Sequence, residues 1–165
     1  MPNPTLILAS ASLSRRELLS HAGLDFEVEP SGVDEAEATR SLMAARASPQ
    51  EIAETLAEMK ALRGQTHELF SSVVVARAGA RLWHWNERAR LTMRPFTEDF
   101  LDAYLARAGD SVLTSVGAYR LESLGAHLFS RVDGDYFTIL GLPLLPLLSF
   151  LAGHGIGLAR PAQAV

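Results

Sequence analysis

The chain predicts a mixed fold, α/β or α+β, with one antiparallel-rich sheet flanked by helices, and three observations carry that expectation. Leu6-Ile7-Leu8-Ala9 has the length and composition of a buried strand and runs straight into an amphipathic stretch. Two β-type runs flank Ala78-Gly79, as hairpin strands flank a tight turn. Helix-capping chemistry opens two further stretches, at Ser48-Pro49 and at Thr97. Strands and helices follow no strict βαβ order. With 165 residues and 48% apolar content, one globular domain over residues 1–165 is expected.

Arg15 to Ala22 places Leu18, Leu19 and Ala22 on one helical face, and Gly23 stands where a glycine ends a helix. Phe26 to Glu29 alternates as a second strand would and stops at Pro30, after which Ser31 to Glu37 is an acidic loop. Ser48-Pro49-Gln50-Glu51 combines a cap residue with proline at the first helical position, so a helix should run from there through Lys60. The hairpin spans Glu68 to Met93, with Leu82, His84 and Asn86 on one face of its second strand and Trp83, Trp85 and Glu87 on the other. Thr97 caps a helix that carries Glu98 and Asp99 in its first turn, where the macrodipole favours acids, and Gly109 ends it. His127 to Val132 and Tyr136 to Leu140 flank Asp133-Gly134-Asp135 and predict a second hairpin. Gly141-Leu142-Pro143 opens the final, leucine-rich helix.

Composition excludes several classes. The formal charge of −4 provides no net positive field for a nucleic-acid polymer or an anionic membrane, so basic residues must act locally. The absence of cysteine removes thiolate chemistry and suits a reducing cytoplasm. The five histidines never fall at the i, i+4 spacing of a helical metal site. The apolar run at the N-terminus is four residues long, short of a secretory signal, and Leu140 to Ala159 carries two prolines and four glycines, which suit a buried helix better than a membrane span.

The stretch Leu6 to Leu19, LILASASLSRRELL, is the one that points to chemistry. Ser14-Arg15-Arg16-Glu17 fits a capping box, with Ser14 accepting from the Glu17 amide. Ser10 and Ser12 lie before that cap. A strand end meeting a helix start with free amides, hydroxyls and Arg15 makes a cradle for phosphate. Arg15 and Arg16 sit against the helix dipole, which costs a few tenths of a kcal/mol unless an anion compensates them. A solvated first turn is the plain alternative.

These residues resemble the Maf family of nucleoside triphosphate pyrophosphatases, whose N-terminal signature is a strand, S-x-S, a variable pair and Arg-Arg-x-x-Leu-Leu. Further segments resemble the family in order: Val33-Asp34-Glu35, Leu56 to Ala61, Gly64 to Leu69, Val116 to Ser123 and Gly134 to Leu144. The resemblance implies an elongated mixed sheet flanked by helices, often a homodimer. It also implies hydrolysis of a nucleoside triphosphate to a monophosphate and diphosphate with Mg²⁺ or Mn²⁺. Carried over by motif, Ser10, Ser12, Arg15, Arg16 and Lys60 would hold phosphates, Lys60 and Glu35 would serve catalysis, Glu35 would hold the metal or its water, and Glu122 would face the base or metal side. The variable pair before Arg15 resembles the branch associated with 7-methyl-GTP.

The chain departs from the pattern after Lys60. The family has there a strand ending in Gly-Ala/Ser-Asp, a Gly-Lys-Pro loop and another helix, whereas Ala61-Leu62-Arg63-Gly64 leads directly into the Gly-x-Thr-His segment. The resemblance therefore implies an internal deletion that removes a catalytic aspartate and a second lysine. Two functions are expected from this: a pyrophosphatase of non-standard or modified nucleotides with reduced activity, or a non-catalytic nucleotide-binding or interaction relative.

Overall fold

A computed structural model describes residues 5–30, 49–109 and 119–158. Five strands and five α-helices lie among them: β1 (Leu6–Leu8), α1 (Leu13–His21), β2 (Phe26–Val28), α2 (Pro49–Leu62), β3 (Thr66–Arg77), β4 (Ala80–Met93), α3 (Glu98–Ala108), β5 (Phe129–Asp133), α4 (Tyr136–Ile139) and α5 (Leu144–Gly153). A 3₁₀ turn over Leu124–Leu128 precedes β5. The mixed α/β class is as expected. The single sheet is not: β1 pairs with β2 in parallel, and β3, β4 and β5 form a separate sheet in that order.

The residues divide into two compact units, one from Met1–Asp34, Phe70–Arg88 and Asp135–Val165, the other from Glu35–Leu69 and Ala89–Gly134. In the first, α1 and α5 close a core of Leu18, Leu19, Leu24, Leu142, Leu144, Leu147 and Leu151, with Leu6, Leu8, Val73, Val75 and Trp83 packed against it. The helix ends are built as their residues dictate. Gly23 takes φ 72°, and the Leu24 amide donates back to the Leu19 carbonyl, a Schellman closure that turns Leu24 into the core. β1 departs from the buried strand expected of it: Leu6 and Leu8 are half-buried, but Ile7 is 48% exposed. One face of β1 meets the leucine core and the other does not, so the all-apolar run reads as more buried than it is.

In the second unit the proximal part of the long hairpin is anchored by side-chain and backbone bonds. Thr66 and Thr92 share a hydroxyl hydrogen bond at 3.0 Å, Arg90 Nη2 donates to Glu68 at 2.9 Å, and the Met93 amide donates to the Gln65 carbonyl at 2.9 Å. Ala89, Leu91 and Met93 face inward and are buried, while Arg90 faces out. β5 joins β4 antiparallel, Leu91 opposite Val132 and Thr92 opposite Arg131. Thr97 caps α3 through the Phe100 amide, and Gly109 ends it at φ 54°, both as the sequence indicates.

The second expected hairpin does not form. Tyr136 to Ile139 is the short helix α4, and β5 pairs with β4 instead. Asp135 decides this: its carboxylate accepts from the Thr138 amide at 2.8 Å and the Thr138 hydroxyl at 3.2 Å, an N-cap that starts a helix where alternation alone suggests a strand.

At the hairpin tip Ala78 and Gly79 have φ 50° and 77°, the left-handed pair a type I′ turn requires. Glycine adopts it freely, whereas alanine does so at a cost of about 1–2 kcal/mol. Ala78→Asn is expected to raise the unfolding free energy by about 1 kcal/mol, read as a shift of the urea midpoint at unchanged slope.

Candidate functional site

The turn from β1 into α1 gathers Ser10, Ser12 and Arg15. Ser10 and Ser12 are only 5% and 3% exposed, so their hydroxyls need partners inside the protein. Ser10 Oγ accepts from the Ser12 amide at 3.3 Å and from Arg15 Nη1 at 2.7 Å. With its oxygen accepting twice, the Ser10 hydroxyl keeps its own proton to donate. Arg15 Nε donates to the Gly141 carbonyl at 3.1 Å, which ties the helix start to the segment before α5.

The cap is Ser12 and not Ser14. Its side chain accepts from the Arg15 amide at 3.5 Å, and α1 begins at Leu13, two residues before the start that a Ser14 capping box requires. Ser12 is held in extended geometry, φ −61° and ψ 123°, by its amide bond to Ser10, and it is buried where Ser14 is half-buried. The local motif at Ser14 thus yields to a cap fixed by neighbouring contacts. One consequence was not visible in the motif: Leu13 and Ser14 become the first two helical residues, whose amides have no intrahelical acceptor. With the Ser10 hydroxyl and the Arg15 guanidinium they compose a set of donors at a helix N-terminus, the arrangement that holds phosphate oxygens. Arg16 is exposed on the same turn.

Lys60 and Glu122 belong to the second unit. Lys60 Nζ lies 2.9 Å from Glu98, which Arg63 also binds, and these two cations hold the Glu98 carboxyl below its usual range. Arg63 further donates to the Phe96 carbonyl and stands 5.3 Å over the Phe96 ring. Glu122 accepts from Arg120 Nε at 2.8 Å. Glu35, with the acidic loop around it, lies outside the described residues. Among the described residues no three His, Asp or Glu side chains gather to hold a metal ion, so they do not by themselves fit the divalent cation. No described helix is long and apolar enough to cross a membrane.

His67, of the Gly-x-Thr-His segment, is a half-buried residue to which the sequence gave no role of its own. Its Nε2 meets the Tyr119 hydroxyl at 2.7 Å, and both rings pack on Phe129. Burial pushes Tyr119 up to about 12, so it keeps its proton, while burial lowers His67 from its ordinary 6.5. Nδ1 of His67 is buried without a hydrogen-bond partner.

The family model for Maf-like protein matches residues 5–63 and 41–154, and the chain belongs to the Maf family. It is 42% identical over 190 positions to a nucleoside triphosphate pyrophosphatase of Paramagnetospirillum magneticum, covering 90% of this chain and 98% of that one. A protein of the same description from Granulibacter bethesdensis is 43% identical over 190 positions, with 90% and 96% covered. A 7-methyl-GTP pyrophosphatase of Rhizobium etli is 41% identical over 193, with 92% and 97% covered. The two stretches of family match overlap at residues 41–63, so the segment containing α2 is matched twice. Ninety per cent of 165 residues is about 149, so about 41 of the 190 positions aligned with the P. magneticum protein have no residue of this chain opposite them.

Two outcomes check this description. Ser12→Ala is expected to cost about 1 kcal/mol of stability and Ser14→Ala only a few tenths, measured by urea unfolding, because only Ser12 caps. For His67, the neutral ring is favoured in the folded state. Stability is therefore complete above pH 6.5 and falls as pH drops below it, where the unfolded chain takes up a proton that the folded one resists. His67→Gln is expected to flatten that decline in urea midpoints measured between pH 7.5 and 5.

Proposed function

We propose that this chain binds nucleoside triphosphates by their phosphate tail at the Ser10–Arg15 turn and hydrolyses the bond between the α and β phosphates, releasing a monophosphate and diphosphate. The observation that carries this is the donor set at the start of α1: the Leu13 and Ser14 amides, the Ser10 hydroxyl and Arg15, with Ser12 as cap. The names of the relatives supply the reaction, and one of them supplies 7-methyl-GTP as a substrate. The substrate is a small nucleotide, non-standard or modified, acted on in the cytoplasm.

In this proposal the residues divide the work. The helix amides and Arg15 neutralise the tail, which has to be done locally in a chain of net charge −4. Ser10 and Ser12 set the shape of the seat. Mg²⁺ or Mn²⁺ belongs to the proposal through Glu35, and its chemistry is to offset phosphate charge and orient water. The described residues include no donor set for it.

Turnover should be slow. We infer that the positions missing against the relatives, together with the double match of α2, reflect loss of the strand–loop–helix block that carries the family's aspartate. A general base supplies about 10²–10⁴-fold in rate. A second proposal, a nucleotide-binding relative without turnover, is favoured by the pairing of Lys60 with Glu98 and of Glu122 with Arg120.

Diphosphate release from GTP, 7-methyl-GTP, dTTP and UTP with Mg²⁺ or Mn²⁺ separates the two proposals. The first expects turnover about 10²-fold or more below that of the P. magneticum relative measured alongside, and the second expects none. By calorimetry, Arg15→Ala is expected to weaken triphosphate binding at least tenfold under either. Unchanged affinity in Arg15→Ala contradicts both.

A further inference from the structure

Helix α4 is a single turn, Tyr136-Phe137-Thr138-Ile139, made of aromatic and β-branched residues that favour strands over helices. A single turn also gains nothing from helix propagation, because nucleation costs more than the first hydrogen bond returns. It is held by its ends instead. At the front, the Asp135 carboxylate accepts from both the amide and the hydroxyl of Thr138, which is 1% exposed. At the back, the Gly141 amide donates to the Thr138 carbonyl at 3.1 Å and the Leu142 amide to the Phe137 carbonyl at 3.1 Å, the two bonds of a Schellman closure with Gly141 at φ 99°. Leu142 belongs to the leucine core, and Phe137 and Leu140 pack against it.

What this turn delivers is the direction of one carbonyl. The Gly141 oxygen is the acceptor for Arg15 Nε, 126 residues away in sequence. A Cβ at Gly141 meets no heavy atom within 4 Å, so the backbone angle and not crowding calls for glycine there. The Gly141 carbonyl and the Ser10 hydroxyl receive from different nitrogens of the guanidinium, and together they set where the fork lies and how its plane is turned.

We propose that α4 is a positioning element for the phosphate seat: Asp135 and Gly141 act through Arg15, aiming the Gly141 carbonyl so that the guanidinium is oriented before a triphosphate tail arrives. This rests on the phosphate binding proposed above and adds to it residues that touch no phosphate themselves. Asp135, α4, Gly141 and the Ser10–Arg15 turn belong to one compact unit. The gain is pre-organisation. Immobilising one rotamer-rich side chain during binding lowers affinity by about three- to tenfold, and a side chain ordered in advance avoids that loss.

Asp135→Ala removes the front cap, whereas Asp135→Asn keeps a capping oxygen in place. Calorimetry of the intact chain with inorganic triphosphate is expected to show Asp135→Ala binding about three- to tenfold more weakly than wild type and Asp135→Asn within about twofold of it. The Arg15 Nε–H resonance of the ¹⁵N-labelled chain is expected to be displaced in the first variant and not in the second. Gly141→Ala tests the same carbonyl independently of the cap and is expected to weaken binding as Asp135→Ala does. Gly155→Ala is its control, at φ 74° and also with nothing within 4 Å of the added Cβ, and is expected to leave affinity unchanged. Both alanines carry the strain of a positive φ, so a general loss of stability moves them alike and a positioning role separates them. In an Arg15→Ala background, Asp135→Ala is expected to weaken binding no further. Three results overturn the positioning role while the phosphate seat stands, given that Arg15→Ala itself weakens binding: affinity unchanged in both Asp135→Ala and Gly141→Ala, an equal loss in Gly155→Ala, or an Asp135→Ala effect undiminished without Arg15. Unchanged affinity in Arg15→Ala overturns both.

Discussion

The Arg15 guanidinium is the contact on which the β1–α1 turn depends. Through Nη1 it holds the buried Ser10 hydroxyl at the end of β1, and through Nε it holds the Gly141 carbonyl ahead of α5. One side chain thus ties the β1–α1 turn to a segment 126 residues away. Its fork of donors makes this feasible, since a lysine supplies a point charge and cannot meet two acceptors in set directions. The same contact aligns Ser10 to receive the Ser12 amide, which places Ser12 as the cap and leaves the Leu13 and Ser14 amides at the helix start. Under the proposed function, the contact that builds the turn is also the one that sets its donors.

Much of this architecture could be read from the chain because local chemistry and tertiary structure agree. Gly23 and Gly109 end helices with positive φ, Thr97 caps with acids behind it, and Ala78-Gly79 turns a hairpin. Where the two disagree, a side chain with a specific partner decides. Ser14 has the better capping sequence, but Ser12 has the contacts. Tyr136 to Leu140 alternates like a strand, but Asp135 caps a helix and β5 finds its partner in β4. The apolar run of β1 marks a strand correctly and says nothing of how many of its faces are covered.

The site was legible in part for the same reason. Ser10, Ser12 and Arg15 are close in sequence, so a strand–turn–helix brings them together by local geometry. Lys60 and Glu122 depend on the long-range assembly of the second unit, and there each is paired, Lys60 with Glu98 and Glu122 with Arg120. Backbone donors such as the Leu13 amide carry no residue signature and emerge only once the cap is located. The segment of α2 is the one that the family model matches twice. Under the proposed function, a phosphate seat without the full catalytic set would give binding more readily than turnover, since holding an anion needs donors alone, whereas hydrolysis also needs an oriented water and a base.

The most direct measurement is a titration of the ¹⁵N-labelled chain with inorganic triphosphate, which carries the tail of the substrate and no base. The account predicts saturable shifts concentrated at the Leu13 and Ser14 amides and the Arg15 side-chain Nε–H. Shifts confined to other parts of the chain, with those three resonances unmoved at saturation, would contradict it.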